Sequence, residues 1–175
     1  MNIKQVPFTQ GKNQGCGYYL LANLFNDQSM IEGVDMSQPI RIEHMNLQLR
    51  DKADYNHYFV DIIWLTNSAL SGTASFLNVR NGFELLTMCK PVEKKAVPLM
   101  VSIINSNGNK HMVLVLMDAD MNVWLVDPLE QYVMIGNANW LLKSHHIVGI
   151  AVLGVHTPNN TGIATFKVDD LSHII

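Results

Sequence analysis

The sequence predicts an α+β fold, in which an N-terminal helical part packs on a C-terminal antiparallel β-sheet. Apolar residues in the first half recur at helical spacing, whereas short β-branched runs alternate with polar turns after Pro91. The 175 residues are enough to bury a core, and they contain no repeat, linker or low-complexity tract. We therefore predict a single domain over residues 1–175.

Three helices are predicted in the first half of the chain. The first covers 16–25, where nearly every residue is apolar, and the second covers 55–70, where apolar residues lie three and four apart. The third runs from 73 toward 88, although Asn81-Gly82 within it favours a turn. The segment 28–54 has no clear pattern, apart from partial alternation after Ile40.

Strands are predicted in the second half because apolar runs of strand length lie between turn signals such as Ser106–Asn109. A short helix is predicted over 138–144. The predicted strands cover 97–104, 111–118, 123–127, 132–135, 147–155 and, as an edge strand, 164–168.

Composition and charge exclude several classes of protein. The net charge of −3 and the absence of a Lys/Arg cluster argue against nucleic-acid binding. The longest apolar runs fall well short of the ~20 residues of a membrane span. Two cysteines and an N-terminus without a signal-peptide core predict folding in a reducing compartment, either the cytoplasm or a host cell reached without a cleaved signal.

A cysteine and a histidine stand where nucleophilic chemistry needs them. Cys16 begins the first predicted helix, whose N-terminal N–H groups and dipole favour a thiolate. His111 begins a predicted strand directly after a tight turn, so its ring is expected at the end of the sheet on a firm support. We interpret the two as candidate nucleophile and general base.

Asp127 is the candidate for orienting the histidine. It ends the next predicted strand, and the separation of 127 − 111 = 16 residues suits two strands of about seven residues joined by a short turn. Both side chains are then expected at one edge, where Asp127 accepts a hydrogen bond from the far ring nitrogen of His111.

An oxyanion formed at this site needs hydrogen-bond donors. The backbone N–H of Cys16 is one, and Gly17 leaves room for a substrate backbone to approach. Gln10, six positions before the cysteine, is a candidate side-chain donor, and Gln14, two positions before it, is a competing one.

The segment QGKNQGCGYYLL, from Gln10, resembles the nucleophile segment of papain-like cysteine peptidases, in which a glutamine lies six positions before the cysteine. Within that superfamily it is most similar to bacteriocin-leader-processing peptidase domains, of the double-glycine type. HMVLVLMDADMNVWLVDP, from His111, resembles the family's histidine strand and the aspartate after the next strand. The likeness covers 10–21 and 97–135, and Tyr18-Tyr19 replaces the second cysteine and aromatic of papain itself.

The resemblance implies a papain-like fold with Cys16, His111 and Asp127 as triad and Gln10 as oxyanion donor. It implies a cysteine peptidase or isopeptidase that forms an acyl-enzyme on a protein or peptide, ubiquitin-like conjugates included. Two alternatives stay open: an effector-type glutamine deamidase or acyltransferase with the same triad, and an inactive papain-like module that binds a partner.

The other candidate groups are interpreted as structural. Cys89 follows an apolar run and is expected to be a buried thiol. His145-His146 is expected to contact a helix C-terminus. With no CxxC pair and no HExxH motif, neither a metal nor a cofactor is expected, and zinc on Cys16, His111 and Asp127 is the weaker alternative.

Overall fold

The computed structural model describes residues 3–12, 15–36, 59–66, 76–157 and 160–175. Within these ranges it has three α-helices and one antiparallel sheet of eight strands, which confirms the α+β class. The helices are α1 (Cys16–Phe25), α2 (Val79–Met88) and α3 (Ala138–Ser144). The strands β1 to β8 are, in chain order, Phe59–Trp64, Lys95–Ile104, Lys110–Asp118, Asn122–Val126, Met134–Asn137, His146–Thr157, Asn160–Ile163 and Phe166–Lys167.

The sheet has the strand order β1-β6-β2-β3-β4-β5, with β7 paired to β6 and β8 to β2. The strands β2, β3 and β4 follow one another in antiparallel hairpins. Between β2 and β3, the side chain of Asn105 accepts the N–H groups of Asn107 and Asn109, and Gly108 adopts φ +78°, which favours glycine. This turn fixes where β3 begins, and it therefore fixes the position of His111, the second residue of that strand.

The central strands are buried on both faces. Along β3, Leu114 and Leu116 contact an apolar cluster that also contains residues of α1, while Val113 and Val115 contact a second cluster formed with α3. Such alternation is what a strand between two helical layers requires. The sheet therefore lies between α1 on one face and α2 and α3 on the other.

Residues near the two ends of the chain meet against α1. The ring nitrogen Nε2 of His173 lies 2.7 Å from the backbone oxygen of Asn23 in α1, across 150 residues of sequence. Nearby, Nζ of Lys4 donates to the backbone oxygen of Ser172. The helix is therefore held both by the sheet and by a segment that follows the last strand.

The helix predicted over 55–70 is wrong where the structure describes this segment, because Phe59–Trp64 forms β1 and pairs antiparallel with β6. Ile63 contacts the cluster on the α3 side and Trp64 the cluster on the α1 side. A strand with apolar neighbours on both faces loses the polar alternation that identifies a strand, and its apolar spacing then imitates a helix.

The helix predicted to run toward Met88 is confirmed over Val79–Met88, and the turn preference of Asn81-Gly82 does not interrupt it, because both residues lie inside α2, which Asn78 caps by accepting the N–H of Asn81. A Cβ on Gly82 would lie 2.5 Å from Cδ2 of Leu142, so glycine here allows α2 to approach α3 closely. The start predicted at Thr73 lies outside the described residues.

The remaining strand predictions need smaller corrections. The strand expected over 132–135 is β5, two residues later. Within 164–168 only Phe166–Lys167 is a strand, and β7 was not predicted. The strand β5 begins later than predicted because Tyr132 forms only a single bridge, with Gln5, rather than a continuous ladder.

No helix in the described ranges has both the length and the apolarity of a membrane span.

We predict that Gly136→Ala lowers the free energy of unfolding by about 1–3 kcal/mol, the usual cost of overpacking. The new Cβ would lie 2.3 Å from Cε3 of the Trp140 ring, which is rigid and must move. Urea denaturation followed by tryptophan fluorescence measures the change. Gly162→Ala is the matched control, since nothing lies within 4 Å of its Cβ, and equal effects of the two variants would contradict the packing argument.

Candidate active site

Cys16 is the first residue of α1, and its side chain is partly exposed. The residue before it is Gly15, which has no side chain to cap the first-turn N–H groups, and no acidic residue lies in that turn. The N–H of Gly17 forms a hydrogen bond with the Cys16 sulfur. Buried leucines hold the helix on the sheet, so the sulfur lies at the N-terminal end of α1, where the first-turn N–H groups have no partner within the helix itself.

His111 lies at the start of β3 and is buried, with 6% of its surface exposed. Its Nε2 lies 2.7 Å from Oδ1 of Asp127. The antiparallel ladder of β3 with β4 ends at the pair Leu114 and Val126, so Asp127 follows the end of β4 at the same edge of the sheet at which β3 begins. The predicted hairpin geometry therefore brings these two side chains together.

Asp127 uses the same carboxylate oxygen to build the turn after β4. Oδ1 accepts the backbone N–H of Leu129 at 2.9 Å as well as the His111 ring, and the backbone oxygen of Asp127 accepts the N–H of Glu130. The proline at 128 fixes the direction of the chain between these contacts. The turn and the orientation of the histidine therefore depend on one oxygen atom.

Cys16 and His111 form a side-chain hydrogen bond. Because Nε2 is engaged by Asp127, the ring nitrogen left for the sulfur is Nδ1. Cys16, His111 and Asp127 thus form a relay in the order that the sequence predicts. The backbone N–H of Met112, next to the histidine, adds another hydrogen bond to the sulfur.

The pair is arranged to carry charge. Burial by itself raises the pKa of Cys16, but the hydrogen bonds from His111 and from the Met112 and Gly17 backbone, with the positive charge of the ring, lower it below its ordinary value. Burial likewise lowers the pKa of His111, but the hydrogen bonds and charges of Asp127 and Cys16 outweigh it and raise that pKa to about 9. Both shifts favour the ion pair of a thiolate and an imidazolium over two neutral groups.

Gln10 is bonded to the turn that follows Asp127. Its side chain is buried, with 5% exposed, and its backbone N–H donates to the oxygen of Pro128 at 2.7 Å. The residue is therefore fixed to the turn that follows Asp127. The competing donor, Gln14, lies outside the described residues.

The sequence pattern does not point to two residues that contribute to the site. Met112 acts through its backbone, which no side-chain pattern reveals. Asn23, fully buried in α1, bonds both backbone groups of Phe8, two residues before Gln10. A polar residue within the apolar run YYLLANLF, seven residues after Cys16 and thus on the same side of the helix, is the signal that could have found it.

The remaining candidates lie elsewhere. Cys89 is buried at the end of α2, and burial raises the pKa of its thiol, as expected of a structural cysteine. His145 contacts the carbonyl of Leu141 in the last turn of α3, and His146 lies against the Phe76 ring. Across the described ranges, no group of three or more His, Cys, Asp or Glu side chains is placed to hold a metal ion.

In comparisons with known proteins, no protein-family model and no curated protein matches the chain. The contacts among Cys16, His111 and Asp127, with the attachment of Gln10 to the turn after Asp127, therefore carry the functional argument.

We predict that the rate of Cys16 alkylation by iodoacetamide stays high well below the ordinary pKa of a thiol. Cys16 loses its negative charge only as the pH falls through its lowered pKa, and the imidazolium is lost as the pH rises through about 9. Mass spectrometry of the alkylated peptide, from pH 4 to 10, measures the profile. Cys89, whose pKa is raised, is the internal control, and a Cys16 profile that follows an ordinary thiol would contradict the ion pair.

We predict that Asp127→Asn lowers the pKa of His111, whereas Asp127→Ala also disturbs the turn. The asparagine oxygen can still accept from His111 and from Leu129, but it removes the charge, and alanine removes both acceptor contacts. NMR titration of the His111 ring measures the pKa. Thermal unfolding separates the variants, with a loss of about 1–3 kcal/mol for alanine alone. An unchanged pKa in Asp127→Asn would show that the carboxylate charge does not act on the ring.

Proposed function

We propose that this chain is a papain-like cysteine hydrolase that cleaves peptide or isopeptide bonds through an acyl-enzyme. The observation that carries the proposal is the relay itself, in which a sulfur at a helix N-terminus bonds a histidine whose other nitrogen bonds a carboxylate at 2.7 Å. Nucleophile, base and orienting group in hydrogen-bond reach of one another are the signature of covalent acyl transfer.

In the first half of the reaction, the thiolate of Cys16 attacks the substrate carbonyl carbon and the carbonyl becomes a tetrahedral oxyanion. The backbone N–H of Cys16 and the side chain of Gln10 are the proposed donors to that oxyanion. His111, protonated because of its raised pKa, gives its proton to the leaving amine as the C–N bond breaks. The amine departs, and a thioester on Cys16 remains.

In the second half, His111 is neutral and accepts a proton from a water molecule as the water attacks the thioester. The tetrahedral intermediate collapses, the C–S bond breaks, and the carboxylic acid leaves. The thiolate and the imidazolium are restored, so the cycle balances without any other reagent. Asp127 holds the ring in one orientation throughout and stabilises its positive charge.

The order of elements supports the papain-like assignment. A helix beginning with the cysteine, a strand beginning beside the histidine, and an Asp-Pro turn after the next strand occur here in the chain order expected from the resemblance. The pKa directions support the chemistry, because they favour the ion pair that a thiol peptidase uses.

We predict that peptide and ubiquitin-like vinyl sulfone probes add covalently to Cys16 and that Cys16→Ala abolishes both labelling and turnover. For a fluorogenic peptide library, the loss is expected to be roughly 10⁴-fold or more, because removing the nucleophile leaves only binding and oxyanion stabilisation. Intact mass and peptide mapping identify the labelled residue. Alanine is compatible with the first turn of a helix, so the variant is expected to fold.

Cys89→Ala is the matched control and is expected to keep both labelling and turnover. Product analysis distinguishes the reactions that share the triad, since a peptidase gives two fragments whereas a deamidase adds about one dalton without cleavage. Labelling at Cys89 instead of Cys16 would overturn the proposal. Labelling at Cys16 without turnover of any substrate would favour an inactive binding module.

A further inference from the structure

Asn23 is a polar side chain in the buried face of α1, with 0% of its surface exposed. Its Oδ1 accepts the backbone N–H of Phe8 at 2.9 Å, and its Nδ2 donates to the backbone oxygen of the same residue at 3.1 Å. One side-chain amide therefore satisfies both backbone groups of Phe8, much as a neighbouring strand would.

The two hydrogen bonds connect the helix of the nucleophile to the segment of the oxyanion donor. Asn23 follows Cys16 by seven residues, which is two helical turns, about 10 Å along the same side of α1. Phe8 precedes Gln10 by two residues. Because a helix is rigid over two turns, the position of Phe8 is fixed relative to the sulfur of Cys16.

A second anchor acts on the other side of the same segment. The N–H of Gln10 donates to the oxygen of Pro128 at 2.7 Å, and the N–H of Val6 donates to the oxygen of Gln131 at 2.9 Å. These bonds attach the segment to the turn after Asp127, but they do not attach it to α1. Among the hydrogen bonds described, the two between Asn23 and Phe8 join this segment to α1 and so set the distance between the segment and the helix.

We propose that Asn23 is a positioning residue that holds Gln10 at the correct distance from Cys16 to receive the oxyanion. The inference rests on the proposed function, and it adds a role that the triad does not contain. An oxyanion donor displaced by about 1 Å loses most of its effect. The two hydrogen bonds between Asn23 and Phe8, which we call the clamp, therefore control the rate of acyl transfer although Asn23 does not touch the substrate.

The role makes a specific prediction about two reactions of the same sulfur. Hydrolysis of p-nitrophenyl acetate passes through an oxyanion, whereas alkylation by iodoacetamide does not. Asn23→Ala is expected to lower kcat for the ester by 10- to 100-fold with KM within twofold. The rate and the pH profile of Cys16 alkylation are expected to stay within twofold of wild type, because the relay with His111 is intact.

Three further variants separate positioning from stability. Ala22→Gly weakens the same turn of α1 but leaves in place both hydrogen bonds between Asn23 and Phe8, and its kcat is expected to stay within twofold of wild type. Asn23→Ser keeps the fold if alanine does not, since serine can bond its own helix but cannot reach both groups of Phe8. The double variant Gln10→Ala with Asn23→Ala is expected to be no slower than Gln10→Ala alone, because the two residues act as one unit.

Hydrogen exchange of the Phe8 and Gln10 amides gives a readout that needs no turnover. Both amides are expected to lose protection in Asn23→Ala and Asn23→Ser and to keep it in Ala22→Gly. Unchanged protection, an additive double variant, or an equal loss of kcat in Ala22→Gly would overturn the inference. If the wild type does not hydrolyse the ester but the exchange pattern is as expected, the clamp stands and the proposed function alone fails.

Discussion

The hydrogen bond between Nε2 of His111 and Oδ1 of Asp127 is the constraint on which the candidate site depends. At 2.7 Å and with the ring almost fully buried, it fixes which ring nitrogen faces the sulfur of Cys16. It also compensates the burial of a charged imidazolium, which would otherwise be costly. Without it, a histidine in this position would be expected to stay neutral and the thiol protonated.

The surrounding fold holds both residues of this hydrogen bond in place, His111 through β3 and Asp127 through the turn after β4. β3 is covered by apolar clusters on both faces, so His111 stands on a strand that cannot tilt without disturbing two cores. The turn after β4 is closed by Asp127 itself, through Leu129. The cysteine, by contrast, belongs to a separate layer, and its alignment depends on how α1 is held against the sheet.

The extent to which the sequence anticipates this structure differs by element, for physical reasons. The bounds of α1 and the β3–β4 hairpin follow from local signals, an apolar run after glycine and polar turns of known geometry. The sequence predicts a helix where β1 lies because Ile63 and Trp64 contact two different apolar clusters, so the segment lacks polar alternation. The local pattern at Gly82 favours a turn, whereas in the structure this glycine lies inside α2 and allows close packing against Leu142. That packing is not visible in the local pattern, because Leu142 is distant in sequence. The positions of Cys16, His111 and Asp127 in the candidate site are predictable because each residue lies in a local pattern, whereas the role of Asn23 is not, because its partner is a backbone segment 15 residues away.

The contact between His173 and the backbone of Asn23 has a consequence for biosynthesis. It joins residues 150 positions apart, so it cannot form until position 173 has emerged from the ribosome. Until then the helix that carries the cysteine lacks one of its supports, and Leu171 and Ile174 have not yet closed the cluster beside it. A nascent chain therefore carries the thiol of Cys16 in an incompletely assembled setting until that segment has been made, and the final alignment of the sulfur follows the docking of the segment on α1.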